Sequence, residues 1–360
     1  MVIREILATP FKVNFKMHYP MVLSVLDNIV LFALILFIPF VQNKILYFII
    51  AYTVSNLPGF ILSFYYLFKK FNYKYKIAYE NFSWIIKESL PLFGFVILSN
   101  IFQQIDIVIL SSIKGNYDVG IYSAGVRLTM PLNIIPGAIV TSVFPILVKR
   151  MTDKESTEFI TNLVIKLLFF ISFVIASVFS FGSAEIVKIV FGREYASSAF
   201  SASILYWCQI FIFFTYYSLS VLIANNKQTY NFIFGLIQVL INLIFILLLV
   251  PDYSFVGASI AKLIASFVGF VYIIYVLSKL GLKPSIGRYK MLLWSGLVAL
   301  ILWLLSDMPL MVYLTLSAIV IFVLTIGLKF FEKDEIIAFF KLVNKEELAK
   351  RLLSRFKFLS

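Results

Sequence analysis

Five ionisable residues interrupt long apolar runs: Asp27, Asp106, Arg127, Lys166 and Lys262. A charge inside a membrane-spanning helix is costly, so each is a candidate either for function or for a specific pairing. Asp106 and Arg127 stand at similar depth in two successive runs, each roughly 12 Å from the turn they share. Two readings stand open. In one, Asp106 and Arg127 form an ion pair that holds the two runs together. In the other, Arg127 offers its guanidinium fork to an anionic group, and cargo or a coupling cation breaks the pair. Lys262 lies at comparable depth; it either faces a cavity and attracts anionic cargo or snorkels outward along its aliphatic stem. Lys166 sits near the opposite end of its run and reads as a snorkelling lysine. Asp27, beside Asn28, reads as a polar contact between helices, with proton or cation coupling as the sharper alternative. Asn100, Gln103 and Gln104 draw a polar stripe along one run. Such amides either hydrogen-bond neighbouring helices or touch a polar cargo.

Other chemistries are poorly provided for. Cys208 is the one cysteine and His18 the one histidine. That excludes a disulfide framework and a cysteine metal cage, and it removes most zinc and histidine-centred sites. A membrane enzyme would need acidic or histidine residues in a sizeable water-facing loop. The longest loop on the outer side, about 183–199, offers Glu185 and Glu194 alone. The reading is therefore not an enzyme, with no metal and no cofactor.

The elements that position these residues follow from composition. Of 360 residues, 61% are hydrophobic and 14% charged, against about 45–50% and about 25% in soluble domains. The net charge of +13 does not suggest a nucleic-acid partner, because the basic residues fall between long apolar runs. In lipid only helices or closed barrels satisfy the backbone, and these runs are too long and too continuously apolar for barrel strands. The chain reads as an all-α polytopic membrane protein of about ten transmembrane helices. The spans are 20–41 (A), 45–68 (B), 88–111 (C), 119–148 (D), 160–182 (E), 199–224 (F), 229–250 (G), 254–278 (H), 291–306 (I) and 308–328 (J). The link from Pro251 to Ser254 is so short that G and H must be antiparallel. Pro131, Pro136 and Pro145 with Gly137 predict a bend in D, with Pro131 and Pro136 as hinge candidates. Pro58-Gly59 and Pro91 with Gly94 invite the same reading in B and C.

Basic residues set orientation. With residue 1 in the cytoplasm, 24 of the 31 Lys and Arg fall on the inner side and four on the outer side, the other three lying within spans. Both termini are therefore expected in the cytoplasm. Residues 1–19 form a cytoplasmic segment with no cleavable leader. Residues 333–360 form a basic tail in which Ile336, Phe339, Phe340, Val343, Leu348, Leu352 and Phe356 predict an amphipathic helix on the inner leaflet.

Helices A–B and G–H resemble each other at an offset of about 210 residues. Gly59, Phe60, Tyr65, Leu67 and Lys69 meet Gly269, Phe270, Tyr275, Leu277 and Lys279. Six helices separate the copies. Residues 88–278 then form a complete six-helix lobe, and 20–68 form the last two helices of an earlier lobe. Residues 291–328 hold two appended helices, and four helices are expected to be missing before Met1.

Several stretches carry a family resemblance. Leu90 to Arg150 holds Asp106, Gly120, Tyr122 and Ala124, similar to an Asp closing the seventh helix and a "G-x-Y-x-x-A" entry to the eighth. Ile189 to Ala199 (IVFGREYASSA) resembles "L-F-G-x-x-Y-x-x-A". Val250 to Ala265 resembles "P-x-Y-G-x-x-G-A-x-x-A", with Ser254 where Gly is usual. FKVNFKMHY near the start resembles the stretch before the fifth helix. The chain thus resembles the polysaccharide exporter and O-antigen flippase branch of the multidrug/oligosaccharidyl-lipid/polysaccharide superfamily. That resemblance implies two six-helix lobes in alternating access and a lipid-linked oligosaccharide, usually on a polyprenyl pyrophosphate, as cargo. Arg127 and Lys262 would then meet pyrophosphate or sugar, Asn100, Gln103 and Gln104 sugar hydroxyls, with Asp106 and Asp27 as ion-coupling or ion-pair residues. The expected setting is a prokaryotic cytoplasmic membrane, with lipids as partners and a separate chain supplying the missing helices. A non-transporting remnant, half of a split transporter, and a drug or metabolite exporter of the same superfamily are the alternatives.

Overall fold

The structure is a computed structural model that describes residues 7, 10–11, 18–70, 82–150, 154–282, 289–332, 334–335 and 337–338. The described residues are helical apart from short turns, with no strand among them. Among the described residues, eight stretches are long and apolar enough to cross a membrane. The longest, Gln228–Lys279, has 52 residues, roughly 78 Å of helix against an apolar core of about 30 Å. It is two helices, because Ser254 breaks the helical path with φ 48° and ψ −131°. Split there, and counted with the shorter apolar helix Tyr289–Leu304, the apolar helical stretches among the described residues number ten. The tail expected at 333–357 lies outside the described residues except for positions 334–335 and 337–338.

The chain divides into two compact units, Met1–Phe82 and Ser83–Ser360. In the first, α1 (His18–Ile35) packs against α2 (Lys44–Ser55) and α3 (Leu57–Tyr65). Asn43 caps α2 by accepting a hydrogen bond from the Leu46 N–H at 3.1 Å, satisfying one of the unpaired amides of the first turn. The B span breaks at Asn56, just before Pro58, where proline's missing N–H ends the ladder. Leu7, Phe11 and Leu67 form a small core under Tyr19, Phe60 and Tyr66.

The second unit opens with α4 (Phe82–Lys114). A turn at Gly115, whose φ of 89° suits glycine, leads into α5 (Asn116–Thr129). A tighter 3-10 turn at Met130–Asn133, which holds Pro131, separates α5 from α6 (Ile134–Arg150) within span D. α7 (Lys154–Phe181) follows. A short helix, α8 (Ser183–Phe191), occupies the loop that the sequence reading leaves without structure. α9 (Ser198–Ala224) is the central helix of the unit, packed on by α5, α6, α7 and the 228–279 hairpin. In that hairpin, α10 (228–253) and α11 (255–279) run antiparallel. Tyr272 donates to the Tyr230 carbonyl at 3.4 Å, Gly269 faces Phe234 and Gln238, and Gly257 faces Leu249 and Val250. α12 (Tyr289–Leu304) and α13 (Leu310–Gly327) pack on each other and on α7 around Trp294 and Tyr313.

The internal repeat has a local counterpart. In the first unit, Asp27 accepts a hydrogen bond from the Gly59 N–H at 2.8 Å. In the second, Gln238 lies against Gly269, where an added Cβ would stand 3.1 Å from its Cγ. Each glycine lets a polar side chain of the preceding helix approach the backbone. Gly59 and Gly269 are 210 residues apart and Asp27 and Gln238 are 211 apart. The leading reading of Asp27 as a polar inter-helix contact agrees with this geometry.

Candidate functional site

The most polar point in the membrane-spanning part of the second unit is built on Asp106. Phe102, Asp106 and Leu110 recur every four residues, so they line one buried face of α4. Asn242 and Ile246 do the same on α10, and Ala258, Lys262 and Ser266 on α11. Asp106 and Asn242 are each 0% exposed. Tyr122 donates to Asp106 Oδ2 at 2.7 Å, and Asn242 Nδ2 donates to Oδ1 at 2.6 Å. Lys262 Nζ donates to Oδ2 and forms the ion pair. It also donates to the Phe102 carbonyl at 3.2 Å and stands over the Phe102 ring, 4.9 Å from its centroid. Four helices are thereby tied at one carboxylate. An unpaired carboxylate in this apolar setting would be prohibitive, and the pair with its added hydrogen bonds makes its burial tolerable.

This arrangement corrects one sequence reading. Asp106 pairs with Lys262, not with Arg127. All three stand at similar depth, so depth could not choose, and the rotation of each helix decides. Lys262 points toward α4 and does not snorkel outward. Arg127 is exposed and makes no ion pair among the described residues.

Lys166 is a second correction. It does not snorkel: it is 7% exposed, and its Nζ donates to Glu335 Oε2 at 2.6 Å. The Phe330 and Phe331 rings stand 5.5 and 5.6 Å from that Nζ. The partner lies 169 residues away in sequence, so no local pattern announces it.

The polar stripe divides from the buried network. Asn100, Gln103 and Gln104 are all exposed on α4. Asn100 Nδ2 bonds back to the Val96 carbonyl of its own helix at 2.8 Å, and no hydrogen bond ties any of the three to another helix among the described residues. Sequence reasoning gave Tyr122 and Asn242 no role. Tyr122 lay within a quoted motif, and Asn242 is one of three amides, with Asn231 and Gln238, in an apolar run, so both carried a signal. Pro131 lies in the Met130–Asn133 turn and Pro136 in the first turn of α6, but a hinge motion is a separate matter. No group of three or more metal-ligating side chains occurs among the described residues.

Comparison with known proteins agrees with this architecture. Residues 11–151 match the family described as polysaccharide biosynthesis protein. The capsular polysaccharide biosynthesis protein CapF of Staphylococcus aureus is 26% identical over 209 residues, which are 56% of this chain and 53% of CapF. The chain thus spans about half the length of this curated relative. Among solved structures, the lipid II flippase MurJ in an inward closed conformation has a TM-score of 0.63 at 20% identity, over 87% of this chain and 68% of that one. A MOP superfamily transporter from Pyrococcus furiosus is more distant, with a TM-score of 0.46 at 17% identity over 74% of this chain and 66% of that one. The family match and the curated relative are both polysaccharide biosynthesis proteins, and the fold is similar to that of the MurJ structure.

Proposed function

We propose, from the premise that this is a polysaccharide biosynthesis family chain with a flippase fold, that it moves a lipid-linked oligosaccharide across a prokaryotic cytoplasmic membrane by alternating access. The single observation that carries the reading is the contrast between Arg127 and the other charges within the spans. Asp27, Asp106, Lys166 and Lys262 are all engaged by protein groups. Arg127 alone is exposed, roughly 16 Å along α5 from its start. A guanidinium facing hydrocarbon at that depth would be costly, so a water-filled cavity is its natural setting. A planar fork of five donors suits a pyrophosphate. The exposed amides of Asn100, Gln103 and Gln104 suit sugar hydroxyls, whereas a small apolar cargo would not call for them.

In this reading residues 20–68 act as the closing helix pair of a first lobe, 88–278 as a complete second lobe, and 291–328 as two further helices. Both termini face the cytoplasm, and the 3-10 turn at Met130–Asn133 lets the ends of span D move separately. The Lys262 charge belongs to Asp106 and is not offered to cargo.

The test is glycan export in a flippase-null cell carrying this chain, alone and joined behind the earlier helices of a relative. Export should return in at least the joined form. Arg127→Ala should abolish it at unchanged membrane insertion. No rescue by either form would remove the reading, and undiminished export by the Ala variant would remove Arg127 from it.

A further inference from the structure

We propose that the Lys262 ammonium is a tethered cation, filling a pocket of oxygen ligands that would otherwise hold a free monovalent cation. The proposal goes beyond the cargo reading and stands whether or not the chain moves a glycan. The ammonium meets the Asp106 carboxylate, the Phe102 carbonyl at 3.2 Å and the face of the Phe102 ring. Carboxylate and carbonyl oxygens are the ligands that replace water around a bare alkali ion. The pocket also holds a spare ligand. Asn242 Oδ1 is buried without a hydrogen-bond partner, on a residue that is 0% exposed and whose amide already touches Asp106. Turning that amide over would bring an oxygen to the carboxylate side.

Charge balance fixes the occupancy at one cation. Asp106 carries one negative charge, while Tyr122 and Asn242 are neutral hydrogen-bond donors to it. Lys262 is the one cation paired with Asp106 among the described residues. A side-chain cation acts at high effective concentration and carries no cost of capture from solution. It also cannot dissociate. Sodium or potassium therefore does not enter or leave at Asp106, and this lobe needs neither ion to stay folded.

The test uses the full chain, purified in sodium chloride throughout, as wild type, Lys262→Met and Lys262→Met with Asp106→Asn. Apparent melting is followed in sodium, potassium and choline chloride at equal ionic strength. Wild type should melt alike in all three. Lys262→Met should gain a saturable stabilisation by sodium or potassium over choline, and the double variant should lose that dependence. A sodium- or potassium-specific shift in wild type would overturn the proposal. So would a Lys262→Met protein indifferent to the salts, or one restored by acid alone, in which a proton has taken the place assigned to the cation. Should Lys262→Met fail to insert, radioactive sodium binding to wild type decides: no specific binding supports the proposal, and stoichiometric, Asp106-dependent binding overturns it.

Discussion

Replacing Ser254 by glycine should make this protein more stable. Ser254 turns the 228–279 hairpin with φ 48° and ψ −131°, a conformation in which a Cβ crowds the backbone and glycine does not. Holding a non-glycine residue in such a region costs about 1–3 kcal/mol. Its hydroxyl is also buried with no hydrogen-bond partner, which adds about 1 kcal/mol or more of lost hydration. Against this, glycine loses about 0.5–1 kcal/mol through the freedom it gives the unfolded chain. The balance favours Ser254→Gly by about 1–3 kcal/mol. Ser254→Ala separates the contributions, since it removes the hydroxyl and keeps the Cβ. The chain contains its own reporter: Cys208 is the one cysteine, is 1% exposed and packs with Val250 and Ala258 beside the hairpin turn. Thermal unfolding in detergent, read by a fluorogenic thiol reagent, should give apparent melting in the order wild type, Ala, Gly, with Gly highest. A glycine variant that melts at or below the alanine variant would refute the strain argument.

The remaining contacts make further predictions. Gly59→Ala should destabilise the first unit and lower its yield in the membrane, because the new methyl would collide with the Asp27 carboxylate; adding Asp27→Ala should recover much of the loss. Lys166→Met should cost up to about 3 kcal/mol by stranding the partly buried Glu335 carboxylate, and Lys166→Met with Glu335→Gln should restore most of it. A melting comparison of the single and double variants reads this directly, and equal melting of the single variant and wild type would mean that the pair is not closed.

The number of crossings was legible because lipid forces continuous apolar runs, and basic residues collect between them. The hairpin at Pro251–Ser254 was legible because its link is too short for any other arrangement. The interruption of span D at Met130–Asn133 falls at Pro131, and the Asp27 contact followed from the repeat that aligns Gly59 with Gly269. Partner choice was not legible. Leu, Ile and Phe surround these helices on all sides, so the sequence pattern does not reveal which face of α5 or α11 turns inward. Asp106 therefore had two cations at equal depth, and only the packing selects Lys262. Glu335 was hidden for another reason: its partner is remote in sequence, and the contact depends on how the segment after α13 folds back on α7. The short helix α8 was missed because its apolar residues are too few to register as a span.

The central claim is that the chain carries a pyrophosphate-linked glycan past Arg127. The most direct measurement reconstitutes purified wild type and Arg127→Ala, as joined chains, into liposomes loaded with a polyprenyl pyrophosphate oligosaccharide. A lectin added outside then counts the glycan that reaches the outer leaflet. The account predicts that wild type raises the accessible fraction beyond the initial outer-leaflet share and that Arg127→Ala leaves it there. Equal accessibility with wild type, Arg127→Ala and protein-free liposomes would contradict it.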